Sequence, residues 1–450
     1  MIPTIMTFYE SLERKNLKKL KDKKQEKEIE EEIERIKNEF KELADRIKES
    51  NLLNSKNLVG FVRTRSYILE FYPKIWRDLN DEKEIKNIVE LFRYAFLNEK
   101  LFRESLPIKK LEKSKSLYQL FIKLYIYSLE RAIKEGFYFE YTERLEESSY
   151  LKGRIDLKKQ INKLDKSKFS IDYYEYDVNN ILNQNFKYAN HYLLSDAEDL
   201  DLKRNLISII NQFPDEISKT LSWHDKEIIF SKINDRFEIP YNYANNFVRG
   251  RSTFRELGNK KTLWFLFDMN KVFENFVANF LIKNKNRIFE NPSEVKIIVQ
   301  EGERNFMFKD EEPSRIKGLR ITRPDIIIEY SNNKIIIDTK YKVINKKNSK
   351  NEEYMENNEE DENLDDEKSI SNSDLYQIFT YSQIYGSKIN ILLYPSKDET
   401  FFKGPYYFLY KFKDIRFYYG FINLNFTKEN WENNMIYDLR NFLQKIIIIN

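Results

Sequence analysis

The sequence contains no cysteine and only two histidines, His191 and His224, in 450 residues. Without thiols there is no disulfide, no thiolate zinc site and no iron–sulfur cluster. With so little imidazole, an all-oxygen metal site is favoured over a histidine-rich transition-metal centre, and the two histidines read as ordinary structural residues. No apolar run is long enough to span a bilayer. The opening MIPTIMTFYE lacks the basic region of a signal peptide, so the expected location is the cytoplasm, with no membrane partner. No GxxxxGK[ST] phosphate loop occurs, which removes P-loop nucleotide hydrolysis from the chain's own repertoire. An excess of one charge is also missing. With 77 basic and 73 acidic residues the net charge is +4, too small to announce nucleic-acid binding, which would have to rest on local basic clefts.

What the sequence does have is enough apolar material, 41%, for a folded protein, and 33% charged residues for wide solvated surfaces. A chain of this length predicts two or three domains. Residues 1–55 form a charged extension in which Ile29, Ile33, Ile36, Phe40, Leu43 and Ile47 recur every three or four positions. That predicts a narrow apolar stripe on a charged helix, either leaning on a neighbouring element or serving as a partner-binding arm. Residues 56–250 read as mixed α and β. LVGFVRTRSYILEFYPKIW alternates like strands, with Gly60 as a turn or bulge, and helical periodicity follows from Glu84 to Asn98 and from Ser116 to Gly136. GFYFEYTERLEESSYLKGRIDLKKQI predicts strands with an exposed polar edge, and a helix begins near Asn180. Residues 251–450 make the last domain. It is preceded by VRGRSTFRELGNKK, five basic residues among glycines, which predicts a loop that is either a plain linker or a phosphate contact.

The last domain is organised around ITRPDIIIEYSNNKIIIDTKYKV, Ile321 to Val343. Two runs rich in Ile, Val and Tyr, hinged at Ser331, Asn332 and Asn333, predict a β-hairpin buried on both faces. Asp325, Asp338 and Lys340 are set into it. A charge in a buried strand costs several kcal/mol unless something pairs with it, so these residues call for a partner such as a metal ion. Asp338 and Lys340, two apart, leave one face, and the turn folds Asp325 back beside them. Two carboxylates and the carbonyl of Thr339 offer hard oxygen ligands for Mg²⁺, with Mn²⁺ as a substitute, and Lys340 is placed to orient or deprotonate a water attacking a phosphodiester. Other D-x-K triplets, those at Asp81, Asp156, Asp201 and Asp366 among them, match equally well; only the copy at Asp338 lies in a hydrophobic strand downstream of RPD.

Around this stretch lie predicted strands at VKIIVQ, INILLYP and PYYFLYKF, and a helix in LWFLFDMNKVFENFVANFL with Glu274 off the centre of its apolar stripe. A second helix, SDLYQIFTYSQIYG, is capped by Ser373 or Asp374 and closed by Gly386, with Gln377 and Tyr381 on one face. A third begins at Trp431 and runs into the buried segment Ile446–Ile449. Residues 346–372 form an insertion in which ten of the seventeen residues from Asn351 to Glu367 are acidic. Such a run predicts a disordered, solvated segment, not a metal site.

RPD, a hydrophobic strand and IDTKYK together resemble the active-site signature of the PD-(D/E)XK nuclease superfamily. Their wording is especially similar to the McrC family, the nuclease subunits of McrBC-type modification-dependent restriction systems. Segments from Arg131, Leu266 and Ser373 resemble that family in its order, so the resemblance covers most of the chain from about Val59 onward and leaves out the first fifty residues. It implies an α/β fold class: a C-terminal PD-(D/E)XK mixed sheet flanked by helices, preceded by a mixed α+β domain and the charged N-terminal helix. It implies Mg²⁺-dependent hydrolysis of double-stranded DNA, with metal held by Asp325, Asp338, Thr339 and Glu274. Lys340 would serve the nucleophile, and Gln377 and Tyr381 would line the cleft as in the RecB-like branch. Glu274 reads equally well as a plain helix-surface residue. The resemblance further implies a partner, an AAA+ GTPase ring of the McrB kind, contacted within residues 59–250, with Arg154 either a member of that contact or a surface ion-pair residue. Two other readings stay open: a stand-alone RecB-like nuclease with no motor, and a non-catalytic activator of an AAA+ partner.

Overall fold

The computed structural model describes residues 4–9, 57–63, 67–76, 81–96, 111–162, 167–197, 199–249, 255–257, 260–262, 266–299, 304–307, 320–330, 333–342, 370–397 and 406–448. The expected charged helix of residues 13–50 and nearly all of the acidic insertion lie outside them. The chain divides into two compact units. One comprises Met1–Met6, Phe61–Glu70 and Ser116–Phe265; the other comprises Thr7–Gly60, Phe71–Lys115 and Leu266–Asn450.

In the second unit, helix α1 (Asp81–Ala95) packs with helix α2 (Met269–Lys283). Asn279 of α2 donates to the carbonyl of Tyr94 at 2.9 Å, and the Tyr94 ring meets Phe280 at 5.3 Å. The sheet is built from β1 (Lys296–Val299), β2 (Ile326–Tyr330) and β3 (Asn333–Thr339), and then, beyond helix α3 (Asn372–Tyr385), from β4 (Ile389–Ser396), β5 (Tyr406–Phe412) and β6 (Ile415–Asn423). Helix α4 (Trp431–Ile448) follows, taking in part of the terminal isoleucine run, with Ile446 buried. The strand order is β1-β2-β3-β4-β6-β5. β3, β4 and β6 run parallel to one another, and the remaining neighbours are antiparallel. The mixed sheet with flanking helices agrees with the expected fold class.

The expected hairpin is β2–β3. Its register pairs Ile326 with Ile337 and Tyr330 with Asn333, so Asn333 belongs to the strand. Both faces of its centre are buried, since Ile326, Ile327 and Ile328 and Ile335, Ile336 and Ile337 are all shielded from solvent. β-Branched side chains on both faces suit a strand covered by helices on two sides. Ile327 and Ile336 pack with Tyr381 and Tyr385 of α3, which places the even-numbered residues of β3 on the α3 side.

Three local expectations are corrected. β6 was not anticipated, although it lies in the interior of the sheet; its IRFYYGFIN is as apolar as a buried strand requires, but it directly follows β5 and the two read as one run. Gly60 lies inside a strand, Leu58–Arg63, with φ of 135°, which removes the turn and leaves the bulge of the two readings. The basic segment from Val248 is not simply a loop: a helix continues to Arg249, and Arg255–Leu257 pairs antiparallel with Lys260–Thr262. Strands of three residues are too short to leave a periodic signal.

The first unit contains the helices Leu117–Lys134, Ile181–Asp196, Leu200–Ile210 and Glu238–Arg249. Ser116 and Asn180 cap the first two by accepting from the backbone of Gln119 and Asn183. The expected stripe of Leu117, Leu120, Phe121, Leu124, Tyr125 and Leu129 is buried, with Phe61 and Phe247 among its aromatic neighbours. A three-stranded antiparallel ribbon sets Phe169–Asp177 between Glu140–Ser148 and the two residues Arg154–Ile155. Gly153 is required there, because its φ is 76° and a Cβ would fall 2.4 Å from the carbonyl oxygen of Asp172. Among the described residues, no helix is long and apolar enough to cross a membrane.

Candidate active site

Asp325 directly precedes β2, Asp338 lies near the end of β3 and Lys340 follows that strand. Continuing the hairpin register one step beyond Ile326 and Ile337 sets Asp325 opposite Asp338. The two are held differently. One oxygen of Asp325, Oδ2, accepts from both the backbone N–H and the hydroxyl of Thr339, each at 2.7 Å. Asp338 is 1% exposed. Its Oδ2 has the Lys340 ammonium at 2.6 Å and no other hydrogen-bond donor among the described residues.

From Lys340 a short polar chain leads onto α3. The ammonium donates to Oε1 of Gln377 at 2.9 Å, and Nε2 of Gln377 donates to the Tyr381 hydroxyl at 2.7 Å. The helix presents both residues toward the strand end because they are four positions apart. Gly386 closes it in the left-handed conformation, as expected, with φ of 67°. The cap at the other end is Ser371, not Ser373 or Asp374: its side chain accepts from the backbone of Asp374. That frees the Asp374 carboxylate, which is buried and pairs with Lys342 at 2.8 Å. Asp374 and Lys342 are absent from the sequence-derived site. The available signal was Lys342 itself, two residues beyond Lys340 in the same motif.

Glu274 on α2 is buried, at 4% exposure, and ion-paired with Lys271 one turn earlier. A plain helix-surface residue is thereby excluded. Its charge also acts on Asp325, whose pKa is raised first by burial and next by Glu274, against the two hydrogen bonds from Thr339 and the nearby Lys340. Burial likewise lifts Asp338 to about 7, opposed by Lys340 and reinforced by Asp325 and Asp374. Lys340 moves up: burial pulls it down, but Asp338, Asp325 and Asp374 outweigh that and favour the ammonium. Tyr381 is raised, chiefly by burial. The structure thus gathers Asp325, Asp338, Thr339, Lys340, Gln377 and Tyr381 into one bonded cluster, with Glu274 in electrostatic reach.

The donor set can be tested against a divalent cation. Among the described residues no group of three or more acidic or histidine side chains is assembled to hold a metal ion. Two carboxylates, Asp338 buried and Asp325 half-buried, each with its pKa raised, lie opposite one another at the hairpin end, and Oδ2 of Asp338 has only an ammonium beside it. Adding positive charge there would relieve the cost of burying both. Hard oxygen donors with backbone carbonyls nearby fit Mg²⁺ in its usual manner, in which few protein ligands are completed by water. Thr339 is engaged through its N–H and hydroxyl, so its demonstrated contact is to Asp325.

The other candidates fall elsewhere. Arg154 is exposed on the ribbon, in register with Asp172. His191 is moved down by burial and by Lys219 and Lys187, and the main chain of His224 is bonded to Asn185; both histidines belong to the first unit.

The sequence matches the family model described as McrBC 5-methylcytosine restriction system component over residues 53–395. A solved structure, a refined half-complex from the tetradecameric assembly of Thermococcus gammatolerans McrB AAA+ hexamers with bound McrC, contains a chain of similar fold. The TM-score is 0.64 at 20% identity, over 98% of this chain and 100% of that one. The cryo-EM structure of the T. gammatolerans McrBC complex matches at 22% identity with a TM-score of 0.45, over 62% of this chain and 88% of that one. No protein of curated function matches the sequence. At such identities the structural likeness concerns fold, but the family match takes in more than half of the chain and every residue of the cluster. The chain belongs to the family of McrBC 5-methylcytosine restriction system components.

Proposed function

We propose that this chain is the McrC-like nuclease subunit of such a system, hydrolysing phosphodiester bonds of double-stranded DNA with Mg²⁺ and working with an AAA+ GTPase ring. The observation that carries the reading is the Asp325, Asp338, Lys340 and Gln377 cluster, in which a buried and a half-buried carboxylate and an ammonium converge at the end of one hairpin.

Asp325 and Asp338 would hold the ion, with Glu274 and the Thr339 carbonyl completing its surroundings. Bound Mg²⁺ supplies Lewis-acid stabilisation of the phosphoryl oxygens and acidifies a ligated water. Thr339 fixes the Asp325 carboxylate from the neighbouring strand. Lys340, favoured as the ammonium, orients the attacking water and neutralises charge at the phosphate. Gln377 holds that ammonium, and Tyr381 holds Gln377. Water adds to phosphorus as one ester bond breaks, leaving a phosphate on one end and a hydroxyl on the other.

The partner reading has its own support in the ribbon of the first unit. Tyr141, Leu145, Tyr174 and Tyr176 share one face by register, and each is more than half exposed. An exposed, tyrosine-rich face of this kind, with Glu143 and Asp172 on it by the same register, has the composition of an interaction surface. It falls within the 59–250 segment expected to engage the ring, and the McrB hexamers of the T. gammatolerans assembly are of the AAA+ class.

The test is cleavage of methylated and unmethylated DNA by the purified chain, with and without an AAA+ GTPase of the McrB kind. GTP-dependent cutting that requires both proteins and Mg²⁺ is expected. Cutting by the chain alone favours a motorless nuclease, and stimulated GTP hydrolysis without cutting favours an activator.

A further inference from the structure

We propose that Lys342 and Asp374 are positioning residues of this site: their ion pair sets α3 in the register at which Gln377 meets Lys340, and compensates the buried Asp374 carboxylate so that its charge does not add to that of Asp325 and Asp338. The inference rests on the nuclease reading above for its consequence, though its geometry stands apart from it.

Two rungs join the exit of β3 to the first turns of α3. Lys340 reaches Gln377 at 2.9 Å, and Lys342 reaches Asp374 at 2.8 Å. The lysines are two residues apart, and their partners are three apart, close to one helical turn. One rung alone would leave the helix free to rotate about it; two fix both its rotation and its axial position. The second rung is itself braced. Lys342 also reaches the Ser371 hydroxyl at 3.4 Å, and the hydroxyl of the buried Tyr394 on β4 donates to the same Asp374 oxygen at 3.4 Å. Strand exit, helix cap and the next strand therefore meet at one carboxylate.

The electrostatics point the same way. Asp374 is 5% exposed and its charge acts on both Asp338 and Lys340. A buried carboxylate deprived of its counter-ion is strongly unfavourable. Without Lys342, the Asp374 charge would act uncompensated on Lys340 and Asp338.

The experiment compares Lys342→Met, Lys342→Arg, Asp374→Asn and the double variant Lys342→Met/Asp374→Asn in the full chain. Two readouts are taken: hydrogen exchange of residues 374–378 in EDTA, and the Mg²⁺ concentration that half-saturates both thermal stabilisation by the ion and DNA cleavage with the GTPase partner. Lys342→Met is expected to speed exchange in those turns and to lower the Mg²⁺ requirement about tenfold, the scale of one nearby charge at short range. Lys342→Arg should restore both. The double variant should need more Mg²⁺ than Lys342→Met alone, because the uncompensated carboxylate is gone. Unchanged exchange in Lys342→Met, or single effects on exchange that simply add in the double variant, would overturn the proposal. If the unmodified chain neither gains stability from Mg²⁺ nor cuts DNA, the nuclease reading fails, and the exchange data still decide the positioning role.

Discussion

A single oxygen of Asp325 accepts two hydrogen bonds from Thr339, one from its backbone and one from its hydroxyl. The bonds join residues fourteen apart in sequence, and they fix a carboxylate that the strand alone would leave free to rotate. Thr339→Val keeps the shape and the N–H but removes the hydroxyl. It should cost roughly 1–2 kcal/mol of stability and weaken Mg²⁺ binding, whereas Thr339→Ser should do neither. Urea unfolding and a Mg²⁺ titration followed by thermal melting report the two effects.

Asp338 gives a pH dependence with a definite sign. Burial raises its pKa from 3.8 to about 7, so the folded chain binds this proton more tightly than the unfolded chain does. The associated stability is fully present below about pH 4 and is lost as pH rises through about 7. In EDTA, the parent protein should therefore lose on the order of a few kcal/mol relative to Asp338→Asn across that interval. Saturating Mg²⁺ should remove most of the difference. Parallel stability curves for the two proteins would show that the buried carboxylate carries no such cost.

Asp338→Ala separates the two proposed roles of the chain. DNA cleavage should be lost, while GTPase stimulation in the partner persists, because the substitution lies in one compact unit and the exposed ribbon in the other. Loss of both together, with lowered thermal stability, would identify Asp338 as structural.

Gln377 and Tyr381 act in series on Lys340. Tyr381→Phe removes the acceptor for Gln377 and should slow cleavage about tenfold with little change in substrate affinity, a cost matching one lost hydrogen bond. Gln377→Leu, which strips Lys340 of its helix partner, should be more severe. Single-turnover rates at saturating DNA are the measurement.

The ribbon face can be probed without touching the cluster. Changing Tyr141, Tyr174 and Tyr176 together to Ser should leave stability nearly unaltered, since each ring is more than half exposed. Partner affinity and stimulated GTP hydrolysis should fall. Unaltered stimulation would move the contact to another surface.

The hairpin, its buried faces and the convergence of Asp338 with Lys340 were legible in the sequence because strand geometry has a period of two, and a local turn decides the pairing. The Gln377–Tyr381 bond and the Gly386 stop followed just as directly from helix geometry. Asp374 was misread as a cap because Ser371, Ser373 and Asp374 all suit that position, and only the start of the helix selects among them.

By itself, then, the sequence determined which chemistry was open to this protein. Lacking thiols and nearly all imidazole, it had carboxylates and one ammonium at a hydrophobic strand end from which to build a site. Tertiary structure alone decided that Glu274 is buried within reach of Asp325, that α1 packs on α2 from nearly two hundred residues away, and that Asp374 and Lys342 brace the cluster. Those outcomes depend on contacts between elements far apart along the chain. Local periodicity can say which face of an element is apolar, but not which other element will cover it.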